Sequence, residues 1–122
     1  MSLAALSPLD GRYRADVAEL EAYFSEAALF RYRVRVEVEY LIFLTRARNI
    51  DFVPRLDPQA AAALRNLYRS FSSADAEAIA AWDRQVNHDV KAVEYWLRER
   101  LDALGLSAVS YTHLTLPTTP YV

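Results

Sequence analysis

Along most of this chain, apolar side chains recur at steps of three and four with charged residues between them. That is the spacing of helices that each bury one face. Val17, Leu20 and Phe24 mark a short helix over Asp16–Phe24, and Ser25 then stands as an N-cap with Glu26 in the following first turn. The next segment reads two ways. Arg33-Val34-Arg35-Val36-Glu37-Val38-Glu39-Tyr40 alternates strictly, as a half-buried strand does, yet Leu29, Arg33, Val36, Tyr40 and Phe43 also keep helical spacing. The flanks are helix formers, and no glycine or proline interrupts Ser25 to Ile50. The pattern predicts one long helix over Glu26–Arg48. Arg31, Arg35 and Glu39, and likewise Arg33 and Glu37, fall four apart and are expected to pair along a solvated helix surface.

Asn49 to Leu56 is a connector closed by Pro54. Asp57-Pro58 is a helix start, with aspartate as N-cap and proline at the first helical position. The helix it opens runs to about Phe71, with Leu64, Leu67, Tyr68 and Phe71 as its stripe. Ser72-Ser73 break it and cap another helix, Ala74 to Val86, whose inner side is Ile79, Trp82 and Val86. Val90, Val93, Leu97, Leu101 and Leu104 form the face of a last helix, and Gly105 stands at its C-terminal cap. The predicted fold class is all-α.

Length and composition narrow the function. At 122 residues there is room for one domain. Hydrophobic residues make up 53% of the chain and glycine occurs twice, which favours helix. A formal net charge of −2 argues against a nucleic-acid binder, which normally carries a basic patch. With no cysteine there is no disulfide framework and no thiolate metal site. Met1-Ser2-Leu3-Ala4-Ala5-Leu6 has neither the basic start nor the apolar stretch of a signal peptide. No uncharged apolar run approaches the roughly 18 residues of a membrane span. A cytoplasmic protein with no membrane partner is the expectation.

Two polar spots can meet a ligand. The turn Ser7-Pro8-Leu9-Asp10-Gly11 presents Arg12 and Tyr13 side by side, a guanidinium for phosphate or carboxylate and a hydroxyl for one more bond. Arg-Tyr pairs are common, and spacing alone favours a solvated arginine and a half-buried tyrosine. Asn87-His88-Asp89 opens the last helix, where free N–H groups and the dipole favour an anion. An imidazole can donate, accept or carry a proton, and Asp89 is placed to orient the His88 ring. A structural or solvated histidine fits the spacing as well. No second histidine or carboxylate stands at metal-ligand spacing to His88. There is also no phosphate loop and no nucleophile elbow.

The end of the chain is different text. Val109 to Val122 holds no Asp, Glu, Lys or Arg, four threonines and two prolines. Val109-Ser110-Tyr111-Thr112-His113-Leu114-Thr115-Leu116-Pro117-Thr118 resembles a sequencing adapter translated in one frame, the transposon mosaic end and its primer extension. Residues 109–122 are accordingly expected to be a non-native, disordered tail, and His113 is set aside as a ligand or base. Residues 1–108 carry the biology.

Leu6-Ser7-Pro8-Leu9-Asp10-Gly11-Arg12-Tyr13 together with Asn87 to Leu97 resembles the N-terminal domain of the bacterial adenylosuccinate lyase family. Phe24-Ser25-Glu26 and Arg31 to Glu39 look like that family's long early helix, and Phe71-Ser72 with Asp75-Ala76 like its next connector. The resemblance runs from Leu6 to Leu104. It implies the helical N-terminal domain of the fumarase and aspartase superfamily fold, truncated before the central helical bundle, and it settles Arg33–Tyr40 as helix. It implies a cytoplasmic homotetramer, free of metal and organic cofactor, that eliminates fumarate from adenylosuccinate to give AMP. The same elimination acts on the succinylaminoimidazole carboxamide ribotide earlier in purine synthesis. Carried over by motif, Arg12, Tyr13, Asn87, His88 and Asp89 bind the nucleotide substrate. Lys91 and Glu94 are expected on the helix surface or behind the site. The family's acid histidine and its base, a serine on a mobile loop, fall beyond this chain, so the fragment is expected to be inactive. The competing class is a free-standing helical interaction module without catalysis.

Overall fold

The computed structural model describes residues 2–47 and 54–106. Among these the order is a short 3-10 turn (Ala18–Leu20), α1 (Glu21–Phe24), α2 (Glu26–Arg46), α3 (Pro58–Arg69), α4 (Ser73–Val86) and α5 (Asp89–Ala103), with no strand. The core is made where α2 packs on α3, α4 and α5 and where α4 packs on α5. Phe30, Val34, Val38, Leu41 and Ile42 of α2 meet Leu64 and Tyr68 of α3, Ile79 of α4, and Val93, Trp96, Leu97 and Leu101 of α5.

The caps are those the sequence implies. The Ser25 hydroxyl accepts from the N–H of Ala28 at 3.0 Å, and Asp57 accepts from that of Ala60 at 2.7 Å. Ser72 and Asp75 close a reciprocal capping box at the head of α4. At the end of α5, Leu106 N–H reaches the carbonyl of Leu101 at 2.8 Å and Gly105 N–H that of Asp102 at 3.1 Å. This is the Schellman arrangement, and the φ of +76° at Gly105 is the backbone state it requires.

Three expectations need correction. The short helix expected over Asp16–Phe24 forms as a 3-10 turn at Ala18–Leu20 running into α-helix at Glu21–Phe24, but Leu20 and Phe24 of its apolar side are exposed. The helical spacing there has too little opposite it to bury. In α2 the periodic set Leu29, Val36, Tyr40 and Phe43 is the outer face, while Phe30, Val34, Val38 and Leu41 face the core. Period-two alternation from Arg33 to Tyr40 arises because this helix is apolar on both sides. The charges of α2 do not simply pair along its surface: Arg31 donates to the Tyr68 carbonyl at 3.0 Å, Arg33 pairs with Asp89, and Glu39 receives Arg65 and the Tyr68 hydroxyl. Of Lys91 and Glu94, expected on the helix surface or behind the site, Lys91 is exposed and Glu94 is buried. The connector residues 48–53 and the tail 107–122 lie outside the described residues.

Candidate functional site

The polar tip is built where α4 hands over to α5. Asn87 ends α4 in the left-handed region, φ 54°, and its N–H donates to the Asp83 carbonyl at 2.7 Å. Asparagine tolerates that backbone better than any branched residue. His88 is then the N-cap of α5. Its Nδ1 accepts from the Lys91 N–H at 3.3 Å. In the neutral ring this bond leaves the proton on Nε2, so His88 offers an outward donor at the positive end of a 15-residue helix.

Asp89, the first residue of α5, is committed elsewhere. Its Oδ2 lies 2.8 Å from the Arg33 guanidinium of α2, and its Oδ1 accepts from the Val90 N–H at 2.9 Å. The hydrogen bond from Arg33 holds its carboxyl below the usual carboxylate range, against a smaller opposing effect of burial. Asp89 thus braces the tip on α2 rather than orienting the His88 ring. One turn on, Lys91 Nζ pairs with Glu94 at 3.0 Å. Beside the tip an open apolar hollow of about 290 Å³ is lined by Tyr32, Arg33, Val36, Glu37, Val90 and Val93.

Arg12 and Tyr13 sit in the expected turn. The N–H groups of Asp10, Gly11 and Tyr13 bond back to Ser7 and Pro8 at 3.0, 3.3 and 2.8 Å. Both side chains are exposed, and Arg12 borders a hollow of about 390 Å³ formed with Ser2 to Pro8. Among the described residues, no hydrogen bond or ion pair joins this turn to Asn87, His88 or Asp89. The turn segment carries exposed apolar residues, among them Leu3, Leu6 and Leu9. Sequence reasoning missed Arg33. Helix spacing offers Arg33 only Glu37 as a charged partner, and Asp89 lies 56 residues away, beyond any local rule.

No group of histidine, cysteine or carboxylate among the described residues can hold a metal, and no described helix is long and apolar enough to cross a membrane. Fold and tip define, among the described residues, an all-helical unit with an exposed polar end. No protein-family model matches the chain. It is similar to the adenylosuccinate lyase of Haemophilus influenzae, 48% identical over 100 residues that make up 82% of this chain and 22% of that protein. It is also similar to the adenylosuccinate lyases of Escherichia coli strain K12, 45% over 110 residues (89% and 24%), and Dictyostelium discoideum, 42% over 103 residues (82% and 22%). These matches place the chain, as a fragment, with the adenylosuccinate lyases: it spans 22–24% of the length of these curated relatives.

Proposed function

We propose that the protein this segment belongs to eliminates fumarate from adenylosuccinate, leaving AMP, and from the succinylaminoimidazole carboxamide ribotide of purine synthesis. In such an elimination a base takes a proton from the succinyl carbon, the C–N bond breaks, and an acid protonates the departing nitrogen. The residues here bind rather than exchange protons. Arg12 and Tyr13 grip the nucleotide part, and Asn87 and His88 meet the substrate from the head of α5, with Asp89 in the same stretch. The acid and base belong to sequence outside this chain. We read residues 1–108 as part of the N-terminal helical domain, residues 109–122 as adapter-derived, and the intact enzyme as a cytoplasmic homotetramer without metal or organic cofactor.

The observation that carries this reading is the 48% identity over 100 residues with a named adenylosuccinate lyase. The outward Nε2 donor of His88, fixed by its cap, supports a site for an anionic ligand. Two measurements test the reading together. Sequencing the source locus across the Ser107 codon is expected to show an open frame that continues for several hundred codons. The purified 122-residue chain is expected to release no fumarate from adenylosuccinate. A stop codon near Ser107 in clean DNA favours the free-standing interaction module, and fumarate release by the chain alone contradicts the assignment of roles.

A further inference from the structure

We propose that Arg33 is a positioning residue for the substrate-binding tip: through Asp89 it ties the head of α5 to α2, so that Asp89 is a brace and Asn87 and His88 are left to face the ligand. The inference rests on the reading of the tip as a substrate site. Arg33 and Asp89 are 56 residues apart in sequence and meet at 2.8 Å. Each carboxylate oxygen of Asp89 already accepts one hydrogen bond, Oδ2 from Arg33 and Oδ1 from the Val90 N–H. A free carboxylate at this place would repel a substrate bearing phosphate and carboxylates. Paired with Arg33, its charge is offset. Arg33 also lines the apolar hollow together with Tyr32, Val36, Val90 and Val93, which holds its stem beside the head of α5. The backbone that Asp89 anchors is the backbone that aims the His88 cap, since the two residues are adjacent and share the first turn of α5.

The test uses the intact lyase that carries this segment. Arg33→Ala is expected to raise KM for adenylosuccinate roughly threefold to tenfold with kcat changed by less than about twofold. Asp89→Asn is expected to give a similar rise. The double variant is expected to be no worse than the worse single, because both remove one interaction. Arg33→Lys should recover part of the loss. An unchanged KM in Arg33→Ala overturns the inference. So does a double variant whose effects multiply. So does an Asp89→Asn defect far larger than that of Arg33→Ala, which would mean that Asp89 touches substrate itself. Should Arg33→Ala not fold, the comparison of Arg33→Lys with Asp89→Asn decides by the same criteria. His88→Asn, run in parallel, separates the two claims. If it is impaired and Arg33→Ala is not, only the brace fails, and if His88→Asn is also unaffected, the substrate tip itself is wrong.

Discussion

Lys91 Nζ lies 3.0 Å from Oε2 of Glu94, and the glutamate side chain is only 7% exposed while the lysine is 45% exposed. A half-solvated cation therefore helps to hold a buried carboxylate one turn below the His88 cap. Removing it leaves the buried Glu94 carboxylate with one partner fewer to offset its desolvation. Lys91→Met is expected to lower the stability of the chain by about 1–3 kcal/mol, read as a lower urea midpoint with an unchanged slope. A loss within the roughly 0.5 kcal/mol typical of surface substitutions would contradict this.

Asn87 has a backbone duty as well as an exposed side chain. Its left-handed conformation separates the two. Asn87→Gly should keep the α4–α5 turn and leave stability within about 0.5 kcal/mol, whereas Asn87→Val should cost about 1–2 kcal/mol. In the intact enzyme, Asn87→Gly should weaken substrate binding with the fold retained. Thermal melts of both variants, compared with the KM of Asn87→Gly, check the division. Equal melts for glycine and valine would contradict the structural half.

The depressed carboxyl of Asp89 sets a pH dependence. A carboxylate whose folded pKa lies below its unfolded value of 3.8 contributes stability that is present above that value and lost as pH falls through the folded pKa. The contribution of the Arg33–Asp89 pair should therefore be constant near neutrality, begin to fall below pH 3.8 and be lost as pH drops through the lower folded pKa. Asp89→Asn should be less stable than the parent chain at neutral pH, and the gap should close on acidification. Urea titrations at a series of pH values measure it, and a gap that widens in acid would contradict the pairing.

Leu29 is 46% exposed, Val36 66% and Phe43 61%, all on the outer face of α2. A long helix apolar on two sides leaves one side without cover in the isolated chain, and such patches drive association. The 122-residue chain is expected to self-associate, with a melting temperature that depends on concentration. Val36→Glu with Phe43→Lys should reduce the association in sedimentation velocity. A sharp, concentration-independent melt of a monomer would count against this.

Much of the framework is legible in the sequence because caps are local. Ser25, Asp57-Pro58, Ser72 and Gly105 mark their helix ends through bonds spanning a few residues, and the structure places each as a cap. Which side of α2 is buried is not local. Both faces are apolar, and only the positions of α3, α4 and α5 choose Val34 and Val38 over Val36 and Phe43. The same holds for the charges. Arg33 and Glu37 satisfy the four-residue rule, yet Arg33 finds Asp89 across 56 residues, which no spacing rule reaches. At the tip, the sequence indicates Asn87-His88-Asp89 as a unit, whereas the structure divides its labour between a left-handed turn, a cap and a brace.

In the proposed function this helical segment carries one side of an adenylosuccinate site, with His88 facing the substrate. His88→Asn in the intact lyase tests it most directly, because asparagine is a strong N-cap and the change removes the imidazole while preserving the helix end. Steady-state fumarate release from adenylosuccinate is expected to fall by at least about tenfold in kcat/KM, as for loss of one hydrogen bond to a charged ligand group, with the melting temperature unchanged. Unaltered kcat/KM in a folded His88→Asn enzyme would contradict the account.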